Sequence, residues 1–128
     1  MRFAYSEQLS PPGLMLPTFF RSIHSLDALT IEGKIDTGAD MTAIPLELKN
    51  RLKLKAYALR RCRGALASDF MTVSTFFLEY SFDGSELFEL EVLATSCPTA
   101  LLGRDILNGL VLTANRPQQF FDLKRPVK

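Results

Sequence analysis

The 128-residue sequence contains no tryptophan, a single histidine and only two cysteines. Cys62 and Cys97 are too few to form a disulfide framework, and neither belongs to a Cys-x-x-Cys pair. With His24 as its one imidazole, the chain offers no obvious set of zinc ligands. We therefore expect two free thiols packed as small apolar side chains and a reducing compartment.

The sequence also lacks long apolar runs and any large excess of charge. No stretch approaches the ~18 apolar residues of a transmembrane helix. Glu7 interrupts the N-terminal segment, so it does not resemble a signal peptide. The net charge is +1, which predicts neither a nucleic-acid partner nor a membrane partner. We expect a cytoplasmic protein with a single globular domain over residues 1–128.

One segment departs from this charge balance. Residues 49–63 contain seven basic side chains and no acidic one. A nucleic-acid patch is one interpretation. A solvated helix face followed by a solvated strand is the favoured one, because acidic residues at 79–91 can compensate. A third is a cleft that prefers acidic peptides.

Alternating apolar and polar residues predict strands along most of the chain. The expected segments are an arm or edge strand at 1–9 within an N-terminal arm 1–13, strands at 14–23 and 29–35, a long hairpin at 57–77 with its tip near 64–68, strands at 76–82 and 87–94, a core strand at 111–113, a terminal strand at 118–123 and a basic tail at 124–128. Asp83-Gly84 predicts a two-residue hairpin turn.

Two segments have helical features. Residues 44–54 fit both a helical and a strand period, and Pro45 suits the first position of a helix. A second short helix is expected after Gly103, with Gly109 at its C-terminal cap.

The sequence is organised around Ile35-Asp36-Thr37-Gly38-Ala39-Asp40. Asp36 ends a predicted strand and precedes a glycine, so its carboxylate lies on backbone that can bend sharply. The same three residues, Asp-Thr-Gly, also occur in ordinary hairpin turns. A second motif, Leu101-Leu102-Gly103-Arg104-Asp105, follows near the C-terminus.

Together these motifs resemble those of the retropepsins, the single-domain retroviral-type aspartic proteases of clan AA. The resemblance extends from about Pro12 to Leu123. It implies an all-β fold, mainly an antiparallel β-barrel, with one or two short helices, and it favours a helix within 44–54. The hairpin 57–77 would be the flap that closes over the substrate. The chain departs from viral members in its longer first segment, this helix and its charged tail.

The resemblance also implies an aspartic endopeptidase that acts on a peptide or protein substrate without a metal or an organic cofactor, and it assigns roles to particular residues. Asp36, Thr37 and Gly38 would be catalytic. Ala39, Asp40 and the flap residues Gly64, Ala65 and Leu66 would bind substrate, and Asp40 would form an ion pair with Arg104.

Peptide hydrolysis by this chemistry requires two carboxylates that share one proton. The chain contains one Asp-Thr-Gly and no internal repeat, so the second Asp36 must come from another copy in a homodimer. Retropepsins interleave their terminal strands into a shared sheet, which makes residues 1–9 and 120–123 candidates for the interface. The alternative is a catalytically silent protein that keeps the fold as a peptide-binding or dimerisation module.

Overall fold

The computed structural model describes residues 1–10, 12–62 and 70–126. Within these ranges the chain forms ten strands and two short helices. They are β1 Arg2–Ala4, β2 Met15–Ser22, β3 Ala28–Ile35, β4 Ala43–Pro45, α1 Leu46–Arg51, β5 Ala56–Cys62, β6 Met71–Ser81, β7 Phe88–Thr95, β8 Ala100–Leu102, α2 Arg104–Leu107, β9 Val111–Asn115 and β10 Phe120–Lys124. The expected mainly β fold with one or two short helices is confirmed.

Six strands form a closed barrel in the order β2-β3-β8-β4-β7-β6. The barrel closes because the last part of β6 pairs with β2, with Tyr80 opposite Phe20. The first part of β6 pairs with β5, which continues the barrel wall. Most neighbouring strands are antiparallel, but β3–β8 and β4–β7 are parallel. The β3–β8 pair brings the segments that follow residues 35 and 102 to one end of the barrel.

Alternation along the strands fills the barrel interior. In β2 the side chains of Leu16, Thr18, Phe20 and Ser22 are buried, while Pro17 between them is exposed. Full burial of a side chain the size of Phe20 contributes about 1.5–3 kcal/mol. On β3, an ideal Cβ at Gly33 would lie 2.7 Å from Thr18 Oγ1. The absence of a side chain there lets β2 and β3 pack closely.

Helix α1 begins directly after β4 and buries Leu48 against the core. Pro45 is the residue before the helix, with extended backbone angles, so its predicted place in the first helical position is wrong by one residue. Helix α2 is capped at its C-terminus by Asn108, and Gly109 follows the cap that it was predicted to occupy. No helix in the described ranges is long and apolar enough to cross a membrane.

The remaining strands form a separate sheet in the order β1-β10-β9. The core strand predicted at 111–113 lies in β9, which is an edge strand because, among the described strands, it pairs only with β10. Its Val111 and Thr113 are exposed. Strand β10 occupies the centre instead and buries Phe121 and Leu123. The apolar pattern is similar in both strands, but only β10 has neighbours on both sides.

The predicted two-residue turn at Asp83-Gly84 is also wrong, because β6 ends at Ser81 and β7 begins at Phe88. The Asp83 carboxylate accepts the N–H groups of Ser85 and Glu86 at 2.9 and 3.2 Å, which stabilises a longer loop. These bonds, with one from the Ser81 hydroxyl, lower the pKa of Asp83 to about 2.

The long hairpin expected at 57–77 corresponds to the antiparallel pair β5–β6, which runs from Cys62 opposite Met71 to Ala56 opposite Phe76. Its expected tip near 64–68 lies outside the described residues. Cys62 and Cys97 are free, half-buried thiols.

Candidate active site

The parallel pairing of β3 with β8 positions the two sequence motifs side by side. The register places Lys34 opposite Leu101 and Ile35 opposite Leu102. Because parallel strands end at the same edge of a sheet, Asp36 and Gly103 leave the barrel together. The Asp36 N–H continues this pairing by donating to the Leu102 carbonyl at 3.0 Å.

The Asp36 side chain lies in an open loop of residues 36–42, which we call the Asp36 loop. Its Oδ1 accepts the Gly38 N–H at 3.1 Å, and its carbonyl accepts the Ala39 N–H at 3.2 Å. Asp36 is half-buried, whereas Thr37 and Gly38 are exposed. An ideal Cβ at Gly38 would lie 3.4 Å from Asp36 Oδ1, so glycine leaves room beside the carboxylate. The loop can therefore present one carboxylate oxygen to a ligand.

A pair that sequence reasoning missed, buried Thr42 and exposed Asp105, anchors the end of this loop. Thr42 is fully buried, and its hydroxyl and N–H donate to the two oxygens of Asp105 at 2.7 and 2.9 Å. The Thr42 hydroxyl oxygen in turn accepts the Gly103 N–H at 3.0 Å. The detectable signal was a threonine between the apolar residues Met41 and Ala43 at the end of the loop, since buried hydroxyls require partners.

Backbone contact between the two motifs is also very close. An ideal Cβ at Gly103 would lie 2.8 Å from Met41 C and 2.9 Å from the Ala39 carbonyl oxygen. That same carbonyl accepts the Arg104 N–H at 2.8 Å. Only glycine at position 103 allows the Asp36 loop to rest directly on the start of α2.

The guanidinium of Arg104 forms an ion pair with the Asp40 carboxylate. Their side chains are 51% and 80% exposed, so the pair lies on the surface of the single chain. An exposed pair contributes about 0–1 kcal/mol, so this contact adds little to the stability of the isolated chain.

The other predicted site residues divide into two groups. Ala39 is half-buried and takes part in the loop through its backbone. Gly64, Ala65 and Leu66 lie outside the described residues. Among the described residues, no group of three His, Cys, Asp or Glu side chains is arranged to hold a metal ion.

Several charges of the basic segment 49–63 are engaged within the chain. Arg60 donates to Glu91 at 2.7 and 3.0 Å, and this contact lowers the pKa of the Glu91 carboxyl. Lys53 lies 3.9 Å from the Asp27 carboxylate. Arg61 lies over the ring of Phe70. These contacts favour the interpretation of the segment as a solvated, internally compensated face.

The six-stranded barrel, with the Asp36 loop joined to the segment 102–105, is the fold of the retropepsin-like aspartic proteases. No protein-family model matches the chain. No curated protein matches it either. The likeness is therefore one of structure.

Three solved structures illustrate this structural similarity. A retropepsin-like aspartic protease from Rickettsia conorii superposes with a TM-score of 0.67 at 15% identity, over 96% of this chain and 88% of that one. EIAV protease, solved with the inhibitor HBY-793, gives 0.54 at 20% identity, over 83% of this chain and 92% of that one. The retroviral protease-like domain of Ddi1 from Leishmania major gives 0.52 at 12% identity, over 90% and 94%.

Proposed function

We propose that the protein is a homodimeric aspartic endopeptidase in which each chain contributes Asp36 to one catalytic dyad. The observation that carries this proposal is the position of the Asp36 carboxylate. It lies in an open loop at the end of β3, with one oxygen held by the Gly38 N–H at 3.1 Å. The surrounding retropepsin fold supports the same conclusion.

The chemistry follows from two carboxylates about 3 Å apart, which cannot both be ionised. They share one proton, so their titration belongs to the pair. The ionised Asp36 takes a proton from a water molecule, which attacks the peptide carbonyl. The protonated Asp36 donates to the carbonyl oxygen. Thr37 would join the two loops across the dimer, and exposed Gly38 would admit the substrate backbone.

A single chain leaves this dyad incomplete. In the described part of the structure, the hydrogen bond recorded for the Asp36 carboxylate comes from the Gly38 N–H, not from a second carboxyl group. The second carboxylate must therefore come from a symmetry-related copy, in which the same surface meets itself across a two-fold axis.

The terminal sheet suggests how two copies could meet. β1 pairs with β10 of its own chain. Met1 bonds to Leu123 and Tyr5 bonds to Gln119, so the backbone polar groups of Met1 and Tyr5 point toward β10. Hydrogen bonding alternates along an antiparallel pair, so Ala4 between them directs its N–H and C=O toward the other edge. Further along this edge Ser6 already exchanges hydrogen bonds with Gly13, so a partner strand would pair with the segment Arg2–Ala4. We propose that the dimer forms there.

The hairpin β5–β6 would act as the flap in this dimer. Its two strands continue beyond the barrel to Cys62 and Met71, which lie opposite each other. Leu59 is 69% exposed and Met71 is 62% exposed. Exposed apolar side chains on such a hairpin are suited to covering an extended peptide.

The activity is tested by incubating a diverse peptide mixture with the protein from acid to neutral pH and identifying products by mass spectrometry. We expect cleavage by the wild type and none by Asp36→Asn, because an amide cannot act as the base. Asp27→Asn, in an exposed turn outside the Asp36 loop, is the matched control and should cleave normally. Cleavage that persists in Asp36→Asn would refute the mechanism.

The dimer is tested by sedimentation velocity over a range of concentrations. Ala4→Pro removes an N–H from the outer edge of β1 and leaves the pairing with β10 unchanged. We expect it to shift the protein toward monomer and to reduce activity in parallel. Ala4→Gly retains the N–H and should dimerise like the wild type. Equal association of both variants would exclude the β1 edge as the interface.

One observation favours the alternative of a catalytically silent module. The terminal strands already pair within one chain, so the three-stranded sheet can form without a second copy. A protein that is dimeric and folded but cleaves no peptide in the mixture would support that alternative. A protein that is monomeric must be assayed again at concentrations that drive association.

A further inference from the structure

A second candidate binding site lies on the outside of the barrel, where β5 and β2 pair one after the other with the same edge of β6. β5 pairs with β6 as far as Phe76, opposite Ala56, and β2 pairs with it from Leu78, opposite Ser22. Phe77 lies at the junction between them. The two strands diverge there and leave a cleft.

This junction cleft has a volume of about 370 Å³, within the range typical of small-molecule sites. Its apolar wall consists of Ile23, Ala56 and the rings of Tyr57 and Phe77. The two ring centroids are 4.9 Å apart, and Tyr57 is 59% exposed. The cleft therefore presents a pair of aromatic rings on which a further ring can pack.

The polar residues of the cleft are His24, Lys55 and Glu89, all exposed. None of the ion pairs among the described residues involves any of these three. Glu89 lies directly opposite Glu79, and Arg21 is paired with Glu79 at 2.9 Å. Glu89 thus has a like-charged neighbour whose compensating cation is already engaged.

We propose that the junction cleft binds the C-terminal aromatic residue of a peptide. The ring packs on Tyr57 and Phe77. The free α-carboxylate meets Lys55 and His24, and the peptide N–H donates to Glu89. This assignment uses the lysine, the imidazole, the acceptor and the aromatic wall together. It does not depend on catalysis by Asp36.

The test uses the full-length Asp36→Asn protein, so that no peptide is cleaved, and the probe acetyl-Ala-Ala-Phe with a free C-terminus. Binding is followed by amide NMR shifts. We expect shifts at residues 23–24, 55–57 and 77 and not in the Asp36 loop. The probe with an amidated C-terminus should bind about fivefold more weakly, as expected for loss of an exposed charge pair. Acetyl-Ala-Ala-Ala should bind about tenfold more weakly, because it lacks the ring.

Two variants separate a specific site from general attraction of an anion. Lys55→Gln should weaken binding of the free-acid probe about fivefold and leave binding of the amidated probe unchanged. Lys124→Gln removes the same charge from the terminal sheet and should change neither. Equal affinity for the acid and amide probes, an equal loss in both variants, or shifts confined to residues 36–42 would overturn the proposal. The result of this binding test does not depend on whether the wild-type protein cleaves peptides.

Discussion

Substitution of Gly103 by alanine tests the claim that the Asp36 loop rests on the start of α2. The backbone of Gly103 has φ −88° and ψ −175°, which any residue can adopt. Backbone strain therefore contributes nothing, and the whole effect must come from contact. The added methyl group would lie 2.8 Å from Met41 C, 2.9 Å from the Ala39 oxygen and 3.0 Å from the Met41 oxygen.

All three of these atoms belong to backbone, so none can rotate away as a flexible side chain would. The loop must move, and movement weakens the bonds from the Gly103 and Arg104 N–H groups at 3.0 and 2.8 Å. Overpacking costs about 1–3 kcal/mol, and a weakened buried hydrogen bond adds about 1 kcal/mol. We expect Gly103→Ala to lose about 2–4 kcal/mol of unfolding free energy.

Urea denaturation followed by circular dichroism measures this loss. The melting temperature should fall by about 4 °C for each kcal/mol lost in a chain of this length. Gly109→Ala is the matched control, because its Cβ would meet only Ile106 O at an ordinary 3.6 Å. That variant should be neutral or slightly stabilising. Equal stability of the two variants would refute the close contact between the motifs.

Three further predictions test the loop, the surface ion pair and the response to acid. Thr42→Val should cost about 2 kcal/mol in urea denaturation, because it leaves the buried Gly103 N–H without its acceptor, whereas Thr42→Ser should recover most of that loss. Arg104→Lys should weaken dimerisation and peptidase activity, since lysine cannot form the same planar fork, and change unfolding of the monomer little; an unchanged dimer and an unchanged rate would exclude this role. The folded-state pKa of Asp83 is about 2, below its ordinary value, so its contribution to stability is complete above about pH 4 and is lost as the pH falls to about 2. The urea midpoint should therefore drop less between about pH 4 and pH 2 in Asp83→Asn than in the wild type. An equal drop in both proteins would contradict the lowered pKa of Asp83.

The sequence could predict the position of Asp36 at a strand end because alternation along β3 and the following glycine are local features. It could also predict the barrel class, through the resemblance carried by the two motifs. It could not predict the bond between Thr42 and Asp105, since this pair forms only when β3 and β8 align in parallel. Contacts between residues so distant in the chain depend on strand register, which no local pattern specifies.

Two of the wrong local predictions have a similar origin. Asp83-Gly84 has the composition of a two-residue turn, but the Asp83 carboxylate binds backbone N–H groups of the residues that follow and holds a longer loop. β9 and β10 both alternate, yet only β10 is covered on both edges. In both cases the local pattern predicted the right type of element, a turn or a strand. The length of the turn and the position of the strand depended on hydrogen-bond partners that the local pattern does not specify.

The anchors of the Asp36 loop all belong to a single chain. Asp105 holds Thr42, Gly103 contacts Met41, and Arg104 donates to the Ala39 carbonyl. The loop is therefore arranged before any association, and a dimer needs to supply only the second carboxylate. It follows that loop integrity and dimer affinity are separable. A variant that disturbs these anchors should unfold more easily at any concentration, whereas one that disturbs the exposed β1 edge should lose activity only where the dimer dissociates.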